Sequence, residues 1–432
     1  MSAQQAPERC EGGGAAASQS WAQPAHRPTE TSPETLQYLL DQAAYFHMIV
    51  SPGAHGPAVV SPAGGGEVAG FSASETLHYF DVELELPPPG GCVRARNVVG
   101  ASAGRVDLRW VFIPPDFMAR PDSAPPLTRL DASRSQRFIM QEATFTFGDG
   151  RDGFRVFGTG RTFPFAVAGR PKLVVAAVGD ITSGFGKFAG RVGTLTFCGD
   201  LVPGRGFVGH VVARVADEDG ALRARTLPSP ASGGTEQEPE SDVTYLIWTA
   251  HKGRGEDQEN SFSVGPDGQV RGLNIPTQLR RMQVGFSARG TEGFQSLDLH
   301  AGEVIGRETG FGRGSVPEAP PTGTPLSPFQ FEGVAQYSLL DSEGGRAGAI
   351  TTNVLEGRRF DMRLERAPEQ PGLRFGFFGP VVYGAGCFAG AEGMFYGSSA
   401  SIFNLPPGSH VITHFYAARI HDPDGRFRAA AR

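Results

Sequence analysis

The chain has 432 residues, a formal net charge of −6, and 60 Gly, 34 Pro and 31 Phe. So much Gly and Pro, with few long runs of strong helix formers, predicts an all-β protein with many tight turns. The small negative charge gives no support to nucleic-acid binding, which usually shows a basic patch, and no segment approaches the roughly 18 apolar residues of a spanning helix, so neither nucleic acid nor membrane is expected as a partner. Cys10, Cys92, Cys198 and Cys387 are far apart and form no Cys-x-x-Cys pair. This spacing predicts neither a metal site nor a disulfide framework.

In chain order, residues 1–31 have the Gln, Ala, Gly, Pro and Ser content of a disordered segment and no apolar stretch of the kind a secretory signal carries, so a cytoplasmic protein is expected. Ser32-Pro33-Glu34 resembles an N-cap followed by a first-turn proline. Leu36, Leu39, Leu40, Ala43 and Phe46 then fall at helical spacing, predicting one amphipathic helix within 32–50, over about 34–48. From Thr76 the period becomes two, with His78, Phe80, Val82 and Leu84 alternating with Tyr79, Asp81, Glu83 and Glu85. Short strand-like runs continue to residue 215, broken by Gly, Pro and Asp turns. Residues 227–241 have linker composition and separate a first domain, 70–226, from a second, 242–432. Strand-like runs resume at 243–250 and end at 410–420, with a Pro/Gly-rich loop expected over 312–328.

The chain repeats itself. Gly184, Gly186, Phe188, Ala189, Gly190 and Gly193 recur as Gly384, Gly386, Phe388, Ala389, Gly390 and Gly393. Ala213-Arg214-Val215 is echoed by Ala418-Arg419-Ile420, now 205 positions on, so the second copy carries a five-residue insertion between the two matches. A period near 200 is a duplicated domain, far beyond a solenoid repeat. The Gly-x-Gly runs do not bind a dinucleotide phosphate, because the spacing is wrong and a strand follows where a helix N-terminus is needed. They are read as glycines that let a coiled sheet bend. Asp217-Glu218-Asp219-Gly220 and Asp422-Pro423-Asp424-Gly425 lack the ligand pattern of a calcium loop and are read as hairpin turns.

The order Phe145-Thr-Phe-Gly-Asp-Gly, Phe157-Gly-Thr-Gly-Arg-Thr, Leu173-Val-Val-Ala-Ala-Val-Gly and Gly184-x-Gly-x-Phe-x-Gly-x-x-Gly193 resembles that of allene oxide cyclases and dirigent proteins. The likeness covers about half of each copy, and in the second rests mainly on residues 384–393. It implies two tandem antiparallel eight-stranded β-barrels, each able to hold a small apolar molecule. It also implies a cofactor-independent cyclase or isomerase that folds a hydrophobic biosynthetic intermediate into a reactive conformer. A carrier of an apolar ligand is the alternative. A homo-oligomer, or a pseudo-dimer within one chain, is the expected assembly. The family's carboxylate near its first strand does not transfer, because Glu83 and Glu85 oppose the apolar face.

Inward and outward positions alternate along a barrel strand. Placing Arg214 and Arg419 outward, in water, puts Gly209, Val211 and Ala213 inside the first copy and His414, Tyr416 and Ala418 inside the second. His414 and Tyr416 are then candidates for a proton donor and acceptor pair, unless they bond each other or a backbone group in a packed interior. His78 is a third candidate acid or base. Trp110 and Phe80 are expected to line the cavity with Val211 and Ala418.

Overall fold

The structure, a computed structural model, describes residues 43–52, 59–62, 68–112, 135–167, 170–202, 206–222, 242–252, 263–264, 269–271, 277–283, 300–315, 331–364, 367–402 and 411–429. The segments 1–31 and 227–241 lie outside them. Among the described residues the chain is all-β, with a single 3-10 turn at Gly186–Phe188 and no α-helix.

The first half contains β1 (Ala43–Ser51), β2 (Val59–Pro62), β3 (Val68–Glu85), β4 (Arg94–Phe112), β5 (Gln136–Phe147), β6 (Asp152–Val167), β7 (Arg170–Phe185), β8 (Gly193–Val202) and β9 (Gly206–Ala216). They form one antiparallel sheet in the order β1-β9-β8-β7-β6-β5-β4-β3-β2, and β1 also pairs with β3. The second half contains β10 (Val243–Lys252), β11 (Ser263–Val264), β12 (Gln269–Arg271), β13 (Thr277–Gln283), β14 (His300–Ser315) and β15 (Phe331–Leu340). It continues with β16 (Arg346–Val354), β17 (Glu356–Leu364), β18 (Ala367–Gly386), β19 (Gly393–Ile402) and β20 (Val411–His421). Its order is β11-β12-β14-β13-β10-β20-β19-β18-β16-β15, with β17 beside β18 and a further β14–β15 pairing. In the first half β1 thus pairs with both β9 and β3, and in the second β14 pairs with β12, β13 and β15. The insertion inferred from the repeat falls between the last two strands, where residues 403–410 stand in place of 203–205.

The predicted N-terminal helix is corrected where it is described, because Ala43–Ser51 is strand β1. Its ladder partners are β9 on one edge and β3 on the other, and its alternating side chains enter two apolar cores, Ala44, Phe46, Met48 and Val50 one and Ala43, Tyr45 and Ile49 the other, so residues 43–50 are all buried. A strand buried on both faces favours an unbroken apolar run, and Ala-Ala-Tyr-Phe-His-Met-Ile-Val matched a helical stripe only because such a run fits every period. The expected 312–328 loop is shortened at its start, since β14 runs to Ser315.

The repeated glycine motif forms the same turn twice. Gly186 and Gly386 have φ of 59° and 60°, and Gly190 and Gly390 have 75° and 76°. These left-handed values are strained for residues with a Cβ. The acidic turns that follow β9 and β20 end a strand rather than join two. Asp217 takes the amide of Leu222 and Asp422 takes that of Phe427, each at 3.0 Å, while Asp422 also accepts from Thr244 Oγ1 at 2.8 Å.

Two apolar cores result. One is the interior of the first half, a pack of aromatic rings in which Trp110 stacks on Phe138 and Phe197 at 4.9 and 5.4 Å. The other joins the interior of the second half to the face between the halves, and it includes Tyr45, Phe80, Val82 and Leu84. The C-terminal part of β3 and the start of β4 form an arm that reaches the second half. There the Asn97 side chain accepts from Tyr245 N at 2.8 Å and donates to Tyr245 O at 3.1 Å.

Candidate functional site

Pairing partners in an antiparallel sheet share a face. Gly397 faces Tyr416 and Ser399 faces His414 across β19 and β20, and Phe377 faces Gly397 across β18 and β19. Glu308 of β14 faces Tyr337 of β15. All of these turn into the second half, where the rings of Tyr416, Tyr337, Phe377 and Phe395 meet at 4.3–6.0 Å.

The polar atoms converge on this aromatic wall. The Tyr416 hydroxyl donates to the Glu308 carboxylate, 3.0 Å from Oε1 and 2.9 Å from Oε2. His414 stacks on Tyr416 at 5.0 Å, and its Nδ1 is hydrogen-bonded to Ser399 Oγ. Burial, reinforced by the Glu308 charge, pushes both Tyr416 and Tyr337 well above the ordinary tyrosine range. Both therefore stay protonated and can donate at neutral pH. Trp248 is fully buried in the same wall, 5.8 Å from Tyr337, and its indole N–H has no acceptor among the described residues. Glu308 and Phe375, which lies 6.1 Å from His414, are half-buried, so the cluster is in part open to solvent.

The first half is built differently at the same places. Where Ser399 faces His414, Gly199 faces Gly209, and a Cβ on either glycine would lie within 2.5 Å of the other's Cα and 2.8 Å of the Phe207 ring. Where Gly397 faces Tyr416, Phe197 faces Val211. The aromatic ring has moved from β8 in one half to β20 in the other, and the exchange adds a hydroxyl.

The predicted inward positions of His414, Tyr416 and Ala418 agree with these pairings, and Val211 and Trp110 lie in the first half's interior core. Two expectations are corrected. Phe80 lines no cavity: it points out of the first half and packs against Tyr245 of the second at 5.4 Å. His78 lies on the same outward face of the first half, opposite Ile49. Arg214 and Arg419 do point outward, but into the buried face between the halves and not into water. Arg214 donates to Tyr45 Oη at 3.0 Å, and Arg419 is ion-paired with Asp200 of the first half at 2.9 Å.

Glu308 escaped the sequence reading because residues 301–311 fell between a strand-like run expected over 294–300 and the loop expected from 312, and were assigned to neither. Gly306, Glu308 and Gly310 share one parity and Arg307, Thr309 and Phe311 the other, so neither showed a clean apolar alternation. Glu75 is a buried carboxylate of the first half. It accepts from Phe207 N at 3.0 Å beyond the end of β1, so it completes the backbone pairing of β9. No helix among the described residues is long and apolar enough to cross a membrane. Compared with protein-family models and with curated protein sequences, the chain matches none.

Proposed function

We propose that the chain is a pair of tandem eight-stranded barrels of the allene oxide cyclase type, and that the second is a cofactor-independent isomerase or cyclase acting on an apolar small molecule. The Tyr416–Glu308 hydrogen bond inside an aromatic wall carries this reading. A carboxylate and a protonated phenol side by side are a base and a hydrogen-bond donor. Glu308 would take a proton from the substrate while Tyr416 stabilises the oxygen on which charge develops, and His414, held by Ser399, would return or relay the proton. The surrounding rings would exclude water and fold a flexible substrate. The Trp248 N–H, without an acceptor among the described residues, supports an oxygen-bearing ligand in the same space. The buried contacts between the halves favour an intramolecular pseudo-dimer over an association of separate chains.

Mass spectrometry of small molecules that co-purify with the protein identifies the compound class. Incubation of that compound with the parent and with Tyr416→Phe and Glu308→Gln variants then tests catalysis. Loss of about 10²–10⁴-fold in turnover with retained binding is expected. Unchanged turnover in both folded variants would remove the assignment. An untransformed ligand would favour a carrier, for which the ring-lined interior around Trp110 in the first half is the supporting observation.

A further inference from the structure

Cys92 and Cys387 are 295 residues apart in sequence, yet they meet where the arm of the first half touches the second glycine turn. Cys92 lies at the tip of the β3–β4 arm. Cys387 occupies the position of the second turn that Lys187 holds in the first. The Cys92 thiol donates to the Cys387 carbonyl at 3.2 Å, and the Cys387 sulfur is hydrogen-bonded to Cys92 and to the backbone of Val93.

The surroundings fix this encounter. Ser342 N donates to Pro87 O at 2.8 Å, Ala95 N to Phe427 O at 2.8 Å, and Ala429 N to Ala95 O at 3.0 Å, so the arm is held against the second half on both sides of Cys92. Arg426 bonds the carbonyls of Ala389 and Cys387, which brings its guanidinium beside the thiol. Both cysteines are half-buried, and a small oxidant can reach them. The hydrogen bond from Cys92, joined by the Val93 backbone and the Arg426 charge, draws the Cys387 thiol down to about 7, while the same contact pushes Cys92 up. A thiol with substantial thiolate at neutral pH beside a second thiol has the makeup of an attacking and a resolving cysteine.

We propose that Cys92 and Cys387 form a redox-active pair which a peroxide oxidises to a disulfide, covalently locking the arm of the first half onto the second. The Cys387 thiolate attacks one peroxide oxygen, the O–O bond breaks, and the leaving hydroxide becomes water with the proton from that thiol. The Cys92 sulfur then attacks the resulting sulfenic acid, the S–S bond forms, and the departing hydroxide takes the Cys92 proton. Two electrons pass from the two sulfurs to one peroxide, and two waters result.

The test uses the full reduced chain treated with hydrogen peroxide. The thiol titre under denaturing conditions should fall from the four cysteines of the chain to two, with a Cys92–Cys387 cross-linked peptide in a non-reducing digest and full recovery on adding dithiothreitol. In Cys92→Ser, dimedone should label Cys387 as its sulfenic acid, because the resolving sulfur is gone. An unchanged titre overturns the proposal. So does a cross-link that uses Cys10 or Cys198, or over-oxidation of Cys387 in the parent chain without a disulfide. Peptide mapping of the unsubstituted protein decides the matter even if the serine variant fails to fold.

Discussion

At Tyr416 one ring serves both packing and chemistry, and the two roles are separable. The Tyr416 ring lies against Gly397, where an added Cβ would sit 2.9 Å from Tyr416 Cδ1 and 2.7 Å from Phe377 Cζ. Gly397→Phe alone is therefore expected to destabilise by about 1–3 kcal/mol or more through overpacking. Combining it with Tyr416→Val recreates the Phe197–Val211 arrangement of the first half and should recover much of that loss. Urea unfolding of the two single variants and the double variant measures the coupling. If the double variant is no more stable than Gly397→Phe, the two halves do not interchange their core volume in this way. His414 and Tyr416 were legible in the sequence because the fixed offset between copies carried the strand register from one to the other. Glu308 was not, since its meeting with Tyr416 spans 108 residues and depends on which strands lie across the interior from each other.

The β3–β4 arm shows what an element adds. Among the described residues β13 pairs with Thr249–His251 of β10, and near Tyr245 that edge is met by the arm. Asn97 supplies both a donor and an acceptor there, as a neighbouring strand would. Asn97→Ala leaves a part-buried N–H and C=O without partners and should cost about 1–3 kcal/mol, read from the unfolding midpoint. A variant with parental stability would mean that water replaces the amide without cost. The alternation of Phe80, Val82 and Leu84 was evident in the sequence as a buried face. What that face packs against was not, since a period of two marks burial without naming the partner surface.

For the whole molecule, the face between the halves holds charged and titratable groups away from water. Arg419–Asp200 and Arg374–Asp180 cross it as buried ion pairs. Arg419→Met strands the Asp200 charge and is expected to cost about 3–5 kcal/mol, whereas the double change with Asp200→Leu should restore most of it. Thermal unfolding of the three proteins tests this, and equal midpoints for the single and double variants would contradict it. His47 and His210 lie in the same face, with ring centroids 4.2 Å apart, and His210 is hydrogen-bonded to Tyr396 of the second half. Burial lowers His47 to about 3, partly offset by the Phe80 backbone, and burial together with His47 holds His210 well below 6.5. A depressed histidine pKa means that the unfolded chain binds the extra protons. Stability is therefore full above pH 6.5 and falls as pH drops toward the folded values, by up to about 1.4 kcal/mol per pH unit for each histidine. Asp81 acts in the opposite sense, because burial, with Glu83 beside it, raises it to about 6. Comparing the chain with His47→Phe isolates one histidine's share. The variant should lose less stability between pH 6.5 and 4.5, and identical profiles would show that His47 stays neutral in both states.

The sequence by itself determined the β class, the duplication, the repeated glycine turn and the inward parity of the final strands. These depend on short-range backbone sterics and on a period that repeats within each copy. Only the tertiary structure decided that residues 43–51 form a strand, that Phe80 and Arg419 face the other half, and that Glu308 meets Tyr416. It alone joined Cys92 to Cys387. Each of these depends on contacts between residues distant in the chain, and local propensity carries no information about which surfaces will meet. The shared glycines of the repeated motif therefore mark where the halves are alike, while the side chains set between them, Cys387 against Lys187, mark where they differ.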